Sequence, residues 1–400
     1  MRRFLPALGA LLLAPLLIAS PSFAATDGPV APAAGKLSVE GHGYGHGIGM
    51  SQYGAYGAAL KGLTYPKILS YYYPGTALGT KVAKIRVLVS ADTTKSVIVK
   101  ARSDLSFYDL TTKKTVALPA MIGTYKTTYW RIMPRATNPM HSVVAYKAAS
   151  GWKTYKSTIL TGNGQFQAPH GGILQLVMPD GSLVSYRGKL RSAKPTTTST
   201  TRRTVNVLTL ERYLRGVVAR EMPTSWKAEA LRAQAVAART YGARAIRTAS
   251  YYDICDTTSC QVYGGVADEA KNSDAAVAAT AGKVLTYKGD LAFTQFSSSS
   301  GGFTVKGSQP YLAAKADAYD DTPSNSRHDW KLSVKASTIE AKYPGIGTLK
   351  TVQVTKRSGG GEWGGRVSSL KLVGSKGSTT ISGETARFAF GLYSTWFAFN

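Results

Sequence analysis

The segment from Trp226 to Ile246 constrains this chain most. It reads as one long helix, and its middle, Ala228 to Ala238, is rich in alanine. Small side chains let a helix approach its neighbours closely, which places this one in a core. Thr224 or Ser225 is positioned to cap its start. Before it, Leu210 to Val218 reads as a shorter helix with Thr209 as N-cap, and Pro223 separates the two. Asn272 to Ala281 reads as another helix.

Upstream the period changes. From Lys81 to about Val207, segments such as Ile85–Val89, Ser96–Ala101, Val143–Tyr146, Ile173–Val177 and Leu183–Tyr186 alternate or run with β-branched and aromatic residues. Turns such as Pro179-Asp180-Gly181 separate them, an antiparallel β pattern. Thr196 to Thr204 reads as a hairpin loop or short linker. Val284 to Phe296 and Thr348 to Asn400 also read as largely β. Near the N-terminus lies a glycine-dense block, Gly41 to Ala55, with helical stretches expected from about Gln52 to Lys61 and from Tyr65 to Thr76. The expected class is α+β, an alanine-rich core helix with a largely antiparallel β subdomain. The expected division is a leader at 1–24, a linker at 25–40, a glycine-rich segment at 41–80, a β-rich subdomain at 81–205 and a core domain at 206–400.

The leader reads as a secretory signal peptide. Arg2 and Arg3 precede an apolar run from Phe4 to Ala19, and Ser22-Phe23-Ala24 offers small residues for cleavage after Ala24. The run falls short of the about 20 residues that a membrane span needs; an uncleaved anchor is the alternative. The expected location is secreted, extracellular or wall-associated, with no membrane span after cleavage. The formal net charge is +27. In the cytoplasm that would point to nucleic acid. Outside it, the abundant polyanions are wall polymers bearing phosphates and carboxylates, and membrane surfaces are anionic. The cations are spread along the chain and no nucleic-acid module is recognisable, so nucleic acid is not an expected partner. Retention on acidic wall polymers and a merely solvated basic surface both stay open.

Cys255 and Cys260 are the two cysteines. In an exported chain such a close pair is expected to be a disulfide. Zinc is the alternative, but the loop offers no histidine, and a structural site wants Cys or His ligands. No metal or other cofactor is expected.

Carboxylates are scarce, 22 Asp and Glu against 49 Lys and Arg. Glu221 stands between two helices, flanked by Val217, Val218, Met222 and Trp226. Burial there would raise its pKa. A rise to about 6 costs only about 2.3 kcal/mol and gives a proton donor near neutral pH. The alternative is a glutamate near the start of the next helix, favoured by its dipole; Glu229 fits that reading more strongly. Arg220 and Arg239 are candidate partners for either. His42 and His46 are four apart, but glycines at 41, 43, 45 and 47 exclude a helix, so the imidazoles need not share a face. The glycines fit a tight turn at which backbone comes close to something.

Several of these segments together resemble one family. The run Tyr213-Leu-Arg-Gly-Val-Val-Ala-Arg-Glu221-Met-Pro, followed by Glu229-Ala-Leu-Arg-Ala-Gln234-Ala-Val-Ala-Ala-Arg239-Thr-Tyr241, is similar to the signature of the stage II sporulation protein D (SpoIID) family, which includes the amidase enhancer. The loop from Cys255 through Gln261 to Gly265, the stretch Ala278 to Tyr287, Ser297 to Gly302, and His46-Gly-Ile-Gly-Met-Ser51-Gln52 fit the same family. The last block normally follows the catalytic helix; here it comes first, which resembles a circular permutation. The segment at 41–80 should then pack back on a SpoIID-like catalytic core at 206–400. Some members hold zinc with a histidine beside the second cysteine; Ser259 stands there in this chain.

The resemblance implies a lytic transglycosylase acting on peptidoglycan glycan strands, with Glu221 as acid and base. It implies substrate contacts at His46, Ser51, Gln52, Gln234, Arg239, Tyr241, Gln261 and Ser298. It leaves a second reading, a non-catalytic wall-binding protein that enhances a separate cell-wall amidase.

Overall fold

The computed structural model describes residues 27–400, so the expected leader lies outside it. The fold is α+β. Among the described residues there are seven α-helices: α1 (Gln52–Leu60), α2 (Tyr65–Tyr72), α3 (Leu210–Glu221), α4 (Ala228–Ala245), α5 (Lys271–Ala279), α6 (Ala336–Lys342) and α7 (Gly383–Phe390). No described helix is long and apolar enough to cross a membrane.

Helix α4 is buried on almost every side, from Ala230 through Ala243. Its alanines let α1, α2, α3, α5 and the strand Lys283–Tyr287 all come close. The start of this helix differs from expectation. Neither Thr224 nor Ser225 caps it; Lys227 stands at the N-cap and offers no side-chain hydrogen bond. Trp226 is drawn aside to stack on Tyr56, 4.6 Å between ring centroids, and its N–H bonds back to the Pro223 carbonyl. The shorter helix does start at Thr209, whose hydroxyl accepts from the Arg212 N–H.

Two sheets make up most of residues 81–209. One has six strands in the order 151–160, 138–148, 129–135, 97–100, 173–177, 183–187. The other has seven, in the order 254–255, 84–88, 203–209, 189–193, 164–167, 106–109, 115–117. Pairing is antiparallel except for Ile254–Cys255, which runs parallel to 84–88. Val99, Trp130 and Ile132 of the first sheet share one apolar core with Val87, Phe166 and Leu190 of the second, and with α3 and α4.

A second apolar core lies apart from the first. It gathers Leu37, Val39, Trp330, Val334, Ile339, Leu370, Ala386 and Phe397. The expected core domain at 206–400 is thus divided, with its last seventy-odd residues building on their own centre. The stretch read as a linker belongs to that centre. Lys36–His42 is the middle strand of a three-stranded sheet, antiparallel to Asp329–Lys335 on one side and Phe397–Phe399 on the other. Its alternating burial, Leu37 and Val39 inward, is that of a strand with one face on a core.

The glycine-rich segment joins the two units. Gly49 has φ +74°, and a Cβ there would stand 2.1 Å from the Gln295 carbonyl oxygen, so only glycine fits. This close approach lets Met50–Ser51 pair in parallel with Phe296–Ser297. α1 and α2 then lie against α4, and Ala77–Thr80 pairs with Lys283–Tyr287.

Candidate functional site

Glu221 is the last residue of α3, not an early residue of α4. The dipole at a helix C-terminus disfavours an anion, the opposite sense to the alternative weighed from spacing. Burial pushes the Glu221 carboxyl above its usual range, while the Val262 N–H and the Gln52 amide pull it partway back. Val262 N–H donates to Oε1 at 3.3 Å, and Gln52 Nε2 donates to Oε2 at 3.5 Å. The carboxyl opens into a cleft of about 580 Å³. Of the groups lining it, Glu221 alone carries a carboxylate; Arg220 and Arg387 supply positive charge.

Six further parts of the chain meet α3 at this cleft. The glycine turns present Tyr44 and His46, and α1 presents Gln52. The disulfide loop presents Thr258 to Val262. The serine-rich segment presents Gln295 to Ser298. Tyr241 comes from α4 and Arg387 from α7. Cys255 and Cys260 are joined as a disulfide, and the described residues hold no cluster of His, Cys, Asp or Glu arranged for a metal ion.

Of the residues singled out from sequence, Glu221, His46, Gln52, Tyr241, Gln261 and Ser298 line the cleft. His46 Nδ1 accepts from the Ile48 N–H at 2.9 Å. Burial first, then Arg366 and Arg387, push its pKa down to about 4, so its ring is neutral at neutral pH and its proton sits on Nε2. His42 sits in a different cavity, with Nδ1 2.6 Å from Asp329 and its ring stacked on Trp363. Gln261 is almost wholly buried, its carbonyl accepting from the Tyr213 hydroxyl at 3.0 Å. It braces the wall more than it offers a free amide.

Ser51, Gln234 and Arg239 do not reach the cleft. Ser51 is buried and caps α1 by accepting from the Gly54 N–H. Gln234 is enclosed within the packing of α4. Arg239, 0% exposed, forms a two-pronged pair with Glu211 at 2.9 and 2.8 Å and donates to the carbonyls of Val277 and Lys283. It ties α4 to α3 and α5. Neither arginine weighed as a partner meets Glu221 or Glu229: Arg220 faces Asp268 at 3.4 Å, and Glu229 pairs with Arg232.

Behind the cleft lies a network that the sequence did not announce. Asp320 is fully buried and takes donors from both sides of the glycine-serine junction. The Ser51 hydroxyl donates to it; Ser299 Oγ does so at 2.7 Å, and the N–H groups of Ser300 and Gly301 at 2.9 Å each. His328 Nδ1 lies 3.0 Å away. Burial alone would raise this carboxyl, but the bonds from His328, Ser51, Ser299 and Ser300 outweigh it and hold the pKa below the ordinary value. Asp320 therefore fixes Ser51, and with it the helix start that carries Gln52. The one signal available in the sequence was the pairing of a capping serine with a serine-rich run.

Residues 198–287 match the Stage II sporulation protein (SpoIID) family. The chain is 35% identical over 205 residues to Stage II sporulation protein D of Bacillus subtilis (strain 168), covering 46% of this chain and 53% of that protein. It is 36% identical over 146 residues to Stage II sporulation protein D of Bacillus amyloliquefaciens, covering 30% and 42%. It is 41% identical over 135 residues to the Amidase enhancer of Bacillus subtilis (strain 168), covering 32% of this chain and 18% of that protein. The chain thus spans about half, or less, of the length of each of these relatives. The matched stretch contains α3, α4, the disulfide loop and α5, the elements that carry Glu221 and its surroundings, and over it the chain is similar to the Stage II sporulation protein (SpoIID) family.

Proposed function

We propose that this protein acts at the cell wall as a lytic transglycosylase, cleaving glycan strands between N-acetylmuramic acid and N-acetylglucosamine. The observation that carries this reading is a single buried carboxyl, raised in pKa, at the base of a cleft lined by no second carboxylate. Hydrolysis of a glycoside commonly needs two carboxyl groups, one of them to serve a water or act as nucleophile. One suffices when the nucleophile is the substrate's own hydroxyl.

In this mechanism protonated Glu221 donates its proton to the glycosidic oxygen as the bond to the muramic acid C1 breaks. The resulting carboxylate takes the proton from the C6 hydroxyl of the same sugar as that oxygen bonds to C1. The product is a 1,6-anhydro ring, and the proton on Glu221 is restored. The Val262 N–H and Gln52 amide orient the carboxylate between the two steps. Peptidoglycan glycan strands are the substrate and partner; no cofactor takes part. Export from the cytoplasm is part of the same reading.

The test is mass spectrometry of purified glycan strands after digestion. Glu221→Gln is expected to lower release of anhydro-muropeptides by at least about 10²-fold while wall binding persists. If the wild-type protein yields no anhydro product from any wall preparation, the reading fails. Similarity to the Amidase enhancer favours a second reading, a protein that binds wall and raises the activity of a separate cell-wall amidase. It predicts no anhydro product and faster release of stem peptides when the amidase is added.

A further inference from the structure

The six-stranded sheet has a face that the cleft does not use. From Leu110 to Pro179 the sequence contains no Asp or Glu. The strands 129–135, 138–148 and 151–160 come from this stretch and form one end of the sheet. Trp130 and Ile132 point into the core, so by alternation Arg131, Met133 and Arg135 share the outer face. Register sets Ala145 beside Arg131, Thr154 beside Ala145, and Trp152 beside Lys147. Arg131, Met133, Arg135, Ala145, Trp152 and Thr154 border a trough of about 400 Å³, and Lys147 stands beside its Trp152 wall.

The trough is charged and its cations are uncommitted. The Arg131 guanidinium lies over the Trp152 ring, 4.3 Å from its centre, and the Lys147 ammonium is 5.8 Å from the same ring. Arg131 Nε is buried and has no hydrogen-bond partner. Among the described residues none of Arg131, Arg135 and Lys147 forms a salt bridge.

We infer that this face binds a phosphodiester polymer of the wall, a polyol-phosphate chain charged at each repeat, and so holds the protein at its place of work. The inference rests on the wall reading above. Charge complementarity selects a polyanion. Single-stranded nucleic acid is disfavoured because it needs open aromatic faces on which bases stack, and Arg131 already covers Trp152. The position also fits an anchor. The strand at 151–160 is one edge of the sheet; 183–187, the other edge, packs on the turn at Gly265–Asp268 that abuts α3. A polymer on the trough leaves the Glu221 cleft free.

The test measures binding of the full chain to purified poly(glycerol phosphate) at several salt concentrations. One variant combines R131Q, R135Q and K147Q. A charge-matched control combines K342Q, K350Q and K371Q, all exposed on the other unit. The trough variant is expected to bind at least about tenfold more weakly with a flatter salt dependence, and the control within about threefold of wild type. The smaller variant R135Q/K147Q, which leaves the buried Arg131 in place, is expected to lose about threefold should the larger one fold poorly. Equal weakening of the trough and control variants overturns the inference, because net charge would then suffice. So does wild-type binding to single-stranded or duplex DNA as tight as to the polymer. No glycan is cleaved in this measurement, so Glu221→Gln is expected to bind as wild type does, and failure of the catalytic reading leaves polymer binding standing.

Discussion

Glu221 owes its raised pKa to burial, and the groups around it differ in legibility. Val217, Val218 and Met222 are buried around it, and their apolar character was plain in the sequence. Its place at the end of α3 was not, because Glu221 continues the helix for three residues past Val218. The two donors that hold its oxygens are 41 residues ahead and 169 behind. One of them is a backbone N–H, which has no sequence signature at all. Ser51 teaches the reverse lesson: its motif was visible, but its hydroxyl is spent on the Gly54 N–H and Asp320. The Gln52 amide favours the ionised form of Glu221, so Gln52→Ala should raise the acid's pKa further. Proton donation is lost as pH rises through that pKa. The alkaline limb of the pH–rate profile for anhydro-product release is therefore expected to move to higher pH in Gln52→Ala, and an unmoved limb would exclude this role for the amide.

At the scale of elements, the helices α1 to α5 and strands such as 84–88, 97–100 and 173–177 were legible because their signals are local. Alanine spacing, Thr209 and alternating β-branched residues all act within a few positions. The strand Lys36–His42 was missed because its partners lie near residues 330 and 398. Asp320 was missed for the same reason. It joins α1 to the serine-rich segment by accepting at least four hydrogen bonds at a buried carboxylate. Asp320→Ala is expected to destabilise the protein by about 3–5 kcal/mol, since His328 and the donors would lose their buried counter-charge. Ser51→Ala should cost only about 1 kcal/mol, the usual worth of an N-cap. Denaturant unfolding checks both, and the double variant should cost less than the two summed because they share one interaction.

At the scale of the whole molecule, two separate apolar cores are joined through the glycine-rich segment. The second closes only when residues from both ends of the described chain are present, Leu37 and Val39 with Leu392 and Phe397. Removing residues 391–400 should therefore open that core while the sheets at 81–209 persist. Limited proteolysis is expected to cut the truncated chain before Gly43 and within 329–390 first. Uniform resistance, as in the full chain, would mean that Phe397–Phe399 contributes little. The α+β class was readable from the sequence because both large sheets and the helical layer form within contiguous stretches. The division into two cores was not, because it depends on which distant strand completes which sheet.

The middle position of Lys36–His42 has a consequence in time. Its first partner, Asp329–Lys335, is made some 290 residues later, roughly 15–60 s at synthesis rates of about 5–20 residues per second. Throughout that interval the strand offers two unpaired edges, the form in which a chain most readily takes a strand from a neighbour. At high local concentration the end of one copy can complete the sheet of another, giving an exchanged dimer with every native pairing intact.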